Sequence, residues 1–313
     1  MPTARRVFLS PDGRLRSGWR VAALLAAFGL ATLALAVAVG VAVGVYMALS
    51  GKTGAPRLPL AGSRWLALGA DLVLLPVLMG LVWVFRRFLD RRSYRSLGFW
   101  ADRRLLPDLG AGLVLGAAMM ALVAGAVLAA GWGRWAPVPA ADRAGAGALI
   151  FAILGFAAAA MVEELLMRGY VQSNLAEGLG ATGAVAVTSL LFAGLHALNP
   201  HISGLAVANL ILAGLLFGAA YQRFRTLWAP WTMHLAWNFT QGTVLGVAVS
   251  GTGGPSLFRL ELTGPAWWTG GAFGFEGGLA CTAVIALATL GFIVWRGRAP
   301  RPAEPVGLDA GTR

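Results

Sequence analysis

The chain has 313 residues, of which 58% are hydrophobic and only 12% charged, and its net charge is +12. Soluble domains carry about 25% charged residues, so this composition excludes an ordinary water-soluble globule, and its high hydrophobicity excludes a disordered chain. Because the apolar residues come in long runs rather than in alternation, an outer-membrane barrel is excluded as well, and a polytopic helical membrane protein is predicted.

Eight apolar stretches approach the 20 residues or so that a helix needs to cross a hydrocarbon core roughly 30 Å thick. In chain order they are residues 21–49, 65–85, 109–131, 147–167, 183–199, 203–221, 229–249 and 277–295. The fourth stretch runs into charged residues and should continue as a helix past the membrane surface, and the fifth is short and ends at Asn199-Pro200. We therefore predict an all-α fold, a membrane bundle of about eight transmembrane helices.

This map divides the chain into five regions. They are an N-terminal tail (1–18), three N-terminal transmembrane helices (19–146), a core (147–250), an outer loop with the last transmembrane helix (251–297), and a C-terminal tail (298–313). The first apolar run, of nearly 30 residues, exceeds the 7–15 residues of a signal-peptide h-region, so we expect it to be a membrane helix. Both tails are rich in Pro, Arg and Gly and are predicted to be poorly ordered.

The basic residues test this map. With the N-terminus inside, 19 of the 25 Lys and Arg residues fall in segments on the cytoplasmic side and six on the outer side. Cytoplasmic loops of membrane proteins are enriched in Lys and Arg. We therefore predict a multi-pass protein of the cell membrane with both termini in the cytoplasm. The net charge of +12 is then explained by basic residues that mark the cytoplasmic side. The lipid bilayer is the expected partner, and no nucleic-acid partner is predicted.

Glycines four residues apart allow two membrane helices to approach closely. Four such pairs fall in the apolar stretches: Gly40/Gly44, Gly112/Gly116, Gly214/Gly218 and Gly242/Gly246. They predict close packing and leave the oligomeric state open.

Ionisable side chains inside a bilayer cost several kcal/mol unless they are paired or face a cavity. The polar residues of interest in the predicted spans are Asp71, Glu163, Glu164, Arg168, His196, His234 and Asn238. We expect Asp71 to lie near the outer end of the second span, too far from the others to act with them, in a structural role. His201, beside Pro200, is expected to be a loop residue.

Glu163, Glu164 and Arg168 form the first motif. Glu164 and Arg168 are four residues apart, so they share a helix face and can pair. Glu163 is rotated by about 100° from Glu164 and is free to face elsewhere. This predicts one structural carboxylate and one chemical carboxylate, the latter suited to general-base chemistry in a low-dielectric cavity. The alternative is a solvated salt bridge at an interfacial helix end.

Two further motifs contain the histidines of the spans. Phe192 and His196 share one face of the fifth span, and His234 and Asn238 share one face of the seventh, where they suit metal ligation or an oxyanion. Hydrogen bonding between helices is the alternative for each. At 1.5 Å per residue, however, Glu163, His196 and His234 fall in one layer in the inner half of the membrane. Together these groups predict a site.

At these residues the sequence resembles the CPBP family of intramembrane proteases, which includes the CAAX prenyl endopeptidases and bacteriocin-processing or immunity proteins. The family pattern is Glu-Glu-x-x-x-Arg, Phe-x-x-x-His and His-x-x-x-Asn/Asp, and all three motifs are present here in order. The run from Arg168 to Gln172 matches the usual continuation of the first motif, and Ser96-Leu97-Gly98-Phe99 resembles a weaker upstream feature. The shared core covers residues 147–250, a third of the chain.

The resemblance implies an intramembrane endopeptidase that hydrolyses a peptide bond in a membrane-associated peptide or protein substrate. Glu163 and His196 would activate water, and His234 and Asn238 would stabilise the oxyanion. Glu164, Arg168 and Phe192 would support this geometry.

The family is labelled metalloprotease, and Glu163, His196 and His234 could form a catalytic Zn²⁺ site with an open position for water. The sequence leaves zinc-bound water and glutamate-activated water both open. Two other functions also remain: a proton-coupled transporter with these residues as a relay, and a non-catalytic immunity or scaffold protein. Nothing in the sequence indicates whether the substrate is prenylated.

Overall fold

A computed structural model of the protein describes residues 7–10, 12–50 and 64–299, which are mainly helical. In chain order the helices are α1 (Ser17–Leu49), α2 (Arg64–Val84), α3 (Leu105–Ala129), α4 (Ala146–Glu164), α5 (Ser173–Leu195), α6 (Gly204–Phe224), α7 (Trp228–Phe239), the short α8 (Ala266–Thr269) and α9 (Leu279–Val294). Three of the helices continue directly into π-helical turns. These turns are Phe85–Asp90 after α2, Leu165–Gln172 after α4 and Thr240–Val244 after α7.

Within the described residues, five apolar helical stretches are long enough to cross a membrane. They are Ser17–Leu49, Leu66–Asp90, Leu105–Ala129, Ala146–Leu195 and Gly204–Phe224. The fourth is 50 residues long and contains two predicted spans, because the backbone leaves the helical conformation at Gly180, where φ is +69°. The prediction of a multi-pass helical membrane protein is thus confirmed. The count of eight crossings and the cytoplasmic position of both termini stay predictions.

The apolar exterior of the helices agrees with a lipid environment. Leu113, Val114 and Leu122 on α3 and Leu287 and Leu290 on α9 are exposed in the isolated chain. An exposed apolar surface of this extent is unfavourable in water and favourable against lipid tails.

Two short strands, which the all-α prediction did not include, connect segments between helices. Strand β1 (Gly133–Ala136) follows α3 and pairs antiparallel with β2 (Arg259–Leu262), with Gly133 opposite Leu262. Arg134 and Glu261 form a cross-strand ion pair at 2.7 Å. The pairing ties the end of α3 to the segment between α7 and α9.

The N-terminal tail is more ordered than the sequence predicts. Leu9 and Leu15 form an antiparallel bridge, and the ring of Phe8 packs on Trp19 with centroids 5.1 Å apart. Residues 1–6 and 11 of the N-terminal tail, and residues 300–313, which are most of the predicted C-terminal tail, lie outside the described residues.

Close helix approach is confirmed for two of the four glycine pairs. A Cβ on Gly112 would lie 2.1 Å from Thr232 Oγ1, and one on Gly116 would lie 2.1 Å from the Met233 carbonyl oxygen. Because both contacts are on α7, this pair lets α3 cross directly against the helix of the third motif.

The second confirmed pair joins α6 to α5. A Cβ on Gly214 would lie 2.6 Å from Ser189 Cα, and one on Gly218 would meet the side chain of Val185. Gly242 and Gly246 are also closely packed, against the Arg64 side chain of α2 and against Ser256 and Phe258 of the segment after α7. Gly40 and Gly44 contact no other described residue, so close packing at this pair stays a prediction.

A buried ion cluster around Asp90 joins four elements at one end of the bundle. The Asp90 carboxylate is fully buried and accepts hydrogen bonds from Arg20 Nη1 at 2.5 Å and Arg86 Nη1 at 3.0 Å. Tyr170 and Asn174 donate to the same carboxylate at 3.3 and 3.4 Å. The cluster fixes α1 and α2 against the turn that connects α4 to α5.

The upstream Ser96–Phe99 segment positions the start of α7. Its Gly98 has φ +107°, and a Cβ there would lie 2.5 Å from the backbone nitrogen of Leu227. The Gly98 carbonyl accepts hydrogen bonds from Thr226 Oγ1 at 3.0 Å and Leu227 N at 3.1 Å. The segment around Gly98 therefore anchors the start of α7, the helix that contains His234.

The α3–α7 crossing yields a stability prediction. We expect Gly116→Ala to destabilise the protein by about 1–3 kcal/mol, because the added methyl group meets a backbone oxygen that can move only with its helix. Thermal unfolding of the purified protein in detergent measures the change. Gly125→Ala, on the same helix but facing open space, is the matched control and should not lower the melting temperature. Equal melting temperatures for both variants would contradict the close crossing.

Candidate active site

A cavity of about 280 Å³ lies among α2, α4, α5, α6, α7 and the segment before α9. Five residues from the three sequence motifs line it: Glu163, Phe192, His196, His234 and Asn238. The structure therefore brings side chains of all three motifs together at one cavity, and their depth in the membrane stays a prediction.

Glu164 faces away from the cavity and is fully buried. Its Oε1 accepts hydrogen bonds from Arg168 Nη1 and from His234 Nδ1, both at 3.0 Å. The predicted pairing of Glu164 with Arg168 is confirmed, and the alternative of a solvated salt bridge is wrong. The bond to His234 is an additional link that the sequence did not predict, and it joins the first motif to the third.

Aromatic rings enclose the Arg168 side chain. Its guanidinium carbon lies 4.6 Å from the ring centroid of Phe192 and 5.2 Å from that of Phe217. The His234 ring stacks on Phe217, with centroids 4.7 Å apart and planes inclined by 23°. Cation–π contact stabilises a buried guanidinium, so Phe192 helps hold the cation that fixes Glu164.

Glu163 occupies the opposite environment to its neighbour. Its side chain is 28% exposed and lines the cavity, whereas that of Glu164 is completely covered. The Glu163 Oε2 atom lies 3.9 Å from Nε2 of His196 and 3.9 Å from Nε2 of His234. The two carboxylates are thus divided between the cavity and the core, as the 100° rotation between adjacent helical residues predicts.

His196 follows the last residue of a short helix rather than lying within a span. The predicted fifth span extends to residue 199, but α5 ends at Leu195. Residues 181–195 span about 22 Å at 1.5 Å per residue, less than the roughly 30 Å of the hydrocarbon core. Irregular backbone at such depth is tolerated where it lines a cavity. The His196 Nδ1–H donates to the Phe192 carbonyl at 2.8 Å, which directs Nε2 toward Glu163.

The residues do not fit the zinc site that the family label implies. Two ligand atoms of a tetrahedral zinc lie about 3.3–3.5 Å apart at ordinary Zn–N and Zn–O distances, whereas Glu163 Oε2 is 3.9 Å from each imidazole nitrogen. Across the part of the chain that the structure describes, no three His, Cys, Asp or Glu side chains form a group that could hold a metal ion.

The prediction that Asp71 lies far from the cluster is wrong. Asp71 lines the same cavity as Glu163, and the charges of the two carboxylates act on each other. Arg64, seven residues earlier on the same face of α2, also lines the cavity and donates to the carbonyls of Gly242 at 2.8 Å and Thr252 at 3.1 Å. The seven-residue spacing of two ionisable residues is the sequence signal that could have identified this face.

Glu276 is a cavity residue that the sequence motifs did not indicate. It lies between α8 and α9, and its carboxylate accepts hydrogen bonds from Trp237 Nε1 and from the backbone N–H and hydroxyl of Ser250. Burial raises the pKa of Glu276 above its ordinary value, and the two Ser250 donors and His196 oppose that shift. His201, by contrast, lies in the turn between α5 and α6, as predicted.

Residues 145–240 match the model of the type II CAAX prenyl endopeptidase Rce1-like family. The matched segment contains all three motifs and ends two residues after Asn238, which confirms the resemblance to CPBP-type proteases. It covers less than a third of the 313 residues, and it leaves α1, α2, α3 and α9 outside. No curated protein matches the chain significantly.

The two adjacent carboxylates should differ in their effect on stability. We expect Glu164→Gln to cost about 3–5 kcal/mol of unfolding free energy, because it leaves the buried Arg168 charge without a carboxylate. Glu163→Gln is the matched control and should change stability little, since this side chain is partly exposed in the cavity. Thermal unfolding in detergent compares the two variants. A similar loss in both would refute the assignment of Glu164 as the structural carboxylate.

Proposed function

We propose that the protein is an intramembrane endopeptidase, which hydrolyses a peptide bond in a membrane-associated protein or peptide. The observation that carries this proposal is the convergence of Glu163, His196, His234 and Asn238 on one cavity inside a bundle of apolar helices. The match of the same segment to a CAAX prenyl endopeptidase family supports it.

The proposed nucleophile is a water molecule held between Glu163 and His196. The separation of 3.9 Å between Glu163 Oε2 and His196 Nε2 is too long for a direct hydrogen bond, and one water can bridge it. His196, oriented by its bond to the Phe192 carbonyl, accepts a hydrogen bond at Nε2. Glu163 takes one proton from the water as its oxygen attacks the carbonyl carbon of the substrate.

The third motif would stabilise the charge that develops on the carbonyl oxygen. Asn238 supplies its side-chain amide, and His234 supplies Nε2–H. Because the Nδ1–H of His234 points to Glu164, the ring donates from Nε2 only as an imidazolium. The carboxylates of Glu164 at 3.0 Å and Glu163 at 3.9 Å provide the negative charge that an imidazolium needs. Preorganised donors of this kind contribute strongly to acyl-transfer catalysis.

Collapse of the intermediate completes the reaction. Glu163 returns the proton to the peptide nitrogen as the C–N bond breaks, which leaves a new carboxyl terminus and a free amine. The carboxylate is thereby regenerated, and no step passes through a metal ion.

The substrate class follows from the position of the cavity. The catalytic groups lie among helices that are apolar on their outer faces, so the scissile bond has to reach them from the bilayer or its surface. With both termini in the cytoplasm and eight crossings, as the basic residues predict, the site lies in the inner half of the membrane. A prenylated CAAX peptide, the substrate in the name of the matched family, is therefore the first probe to test.

Cleavage of such a probe tests the proposed roles. We expect Glu163→Gln and His196→Ala to lower kcat by about 10²–10⁴-fold, the usual contribution of a general base, while both proteins remain folded. The measurement is release of a fluorophore from a quenched prenylated CAAX peptide by purified protein in detergent or vesicles. Glu261→Gln, which removes a partly exposed carboxylate in the strand pair, is the control and should cleave at the wild-type rate.

The rival functions give different results in the same preparations. Proton-coupled flux that is lost in Glu163→Gln, without cleavage of any peptide, would indicate a transporter. Unchanged processing of a confirmed substrate in both site variants would refute catalysis by these residues and favour a non-catalytic role.

The metal-free mechanism predicts resistance to chelators. We expect wild-type protein to keep its cleavage rate after incubation with 1,10-phenanthroline and dialysis, because the distances around Glu163 do not suit a shared metal. Elemental analysis of the purified protein should detect no stoichiometric zinc. Activity that is lost with the chelator and restored by Zn²⁺ would show that a metal completes the site.

A further inference from the structure

Glu276 connects the segment before α9 to the helix of the third motif. Its Oε1 accepts a hydrogen bond from Trp237 Nε1 at 3.3 Å, and Trp237 is the residue immediately before Asn238 on α7. Its Oε2 accepts from Ser250 N at 2.6 Å and from Ser250 Oγ at 3.0 Å. One carboxylate therefore holds α7 and the segment after α7 at once.

The backbone of Glu276 is fixed independently of its side chain. Asn209 on α6 donates its side-chain amide to the carbonyls of Glu276 at 2.8 Å and Gly278 at 3.0 Å. Thr282 in turn donates to Asn209 Oδ1 at 2.7 Å. A substitution that changes only the Glu276 carboxylate therefore leaves the main chain in place, and its effect reports on the side-chain contacts.

A buried carboxylate at position 276 lowers the stability of the fold, so stability by itself does not explain it. Glu276 is buried, and within the described residues no Lys or Arg lies within salt-bridge distance of its carboxylate. Burying a carboxylate against neutral donors carries a desolvation cost that an apolar or amide side chain avoids. The carboxylate also lines the catalytic cavity, where its charge acts on His196.

We propose that Glu276 is a positioning residue of the active site, which fixes through Trp237 the turn of α7 that presents His234 and Asn238. This inference rests on the proposed function, because it assigns the oxyanion donors to that turn. Glu276 lies outside the segment that matches the protease family. The segment between α7 and α9 would then be part of the catalytic unit rather than a connection between helices.

The test compares three variants with wild type, using the quenched prenylated CAAX peptide as probe. Glu276→Gln keeps the shape but replaces one acceptor oxygen with a donor, and Trp237→Phe removes the partner on α7. Misplaced donors should lower kcat by roughly 10–100-fold in each variant, with KM changed by less than about twofold. The double variant should be no slower than the slower single variant, because both substitutions break one contact.

Thr269→Val is the matched structural control. It removes the hydrogen bonds of the buried Thr269 hydroxyl to Pro265 O and from Gly271 N, in the same segment between α7 and α9, but leaves the bonds from Ser250 and Trp237 to the Glu276 carboxylate in place. We expect a lower melting temperature and an unchanged kcat. A merely structural role of Glu276 would instead lower stability in all three variants and leave kcat per folded molecule at the wild-type value, which would overturn the proposal.

Hydrogen exchange measured by mass spectrometry provides a readout that needs no substrate. In Glu276→Gln the backbone amides of Trp228–Val244 should exchange faster than in wild type and in Thr269→Val. Unchanged exchange in this range would overturn the proposal even if Trp237→Phe fails to fold. If wild type and Glu163→Gln both leave the probe intact, the proposed function fails on this substrate, and the exchange result still decides whether Glu276 positions α7.

Discussion

The buried contact of Glu164 with Arg168 and His234 is the interaction on which the site depends. A carboxylate and a guanidinium without solvent access are costly, and their mutual attraction has to offset that cost. Here Glu164 Oε1 accepts from both partners at 3.0 Å, and the rings of Phe192 and Phe217 lie against the cation. Because the three motifs contribute to this one contact, forming it also sets the positions of Glu163, His196 and His234.

Departures from regular helix occur next to the catalytic groups. A π-helical turn begins directly after Glu164, another begins after Phe239, and α5 ends just before His196. Turns of this type are frequent at functional sites because they redirect side chains and leave backbone groups for other partners. Inside a bilayer such backbone has to be enclosed by protein or face a cavity. Leu165–Gln172 is buried throughout, and His196 lines the cavity.

The sequence could predict the groups that a helix places by itself. The pairing of Glu164 with Arg168 and the separate direction of Glu163 follow from 3.6 residues per turn, and a shared depth follows from the rise per residue. Asp71, Arg64 and Glu276 were misjudged or missed, because each reaches the cavity through the packing of elements distant in sequence. The Gly112/Gly116 pair illustrates the same limit: the spacing allowed a close crossing, but only the fold shows that its partner is α7.

The cavity is lined partly by residues of the matched segment and partly by residues outside it. Residues 145–240 contain every side chain that the proposed mechanism uses for water activation and oxyanion binding. Outside this segment, α2 adds Arg64 and Asp71 to the walls, and the segment before α9 adds Glu276. Since the chemistry of peptide hydrolysis is the same for all substrates, selectivity between them has to depend on the walls. Under the proposed function, the wall residues outside the matched segment would therefore add to the selectivity of the cavity.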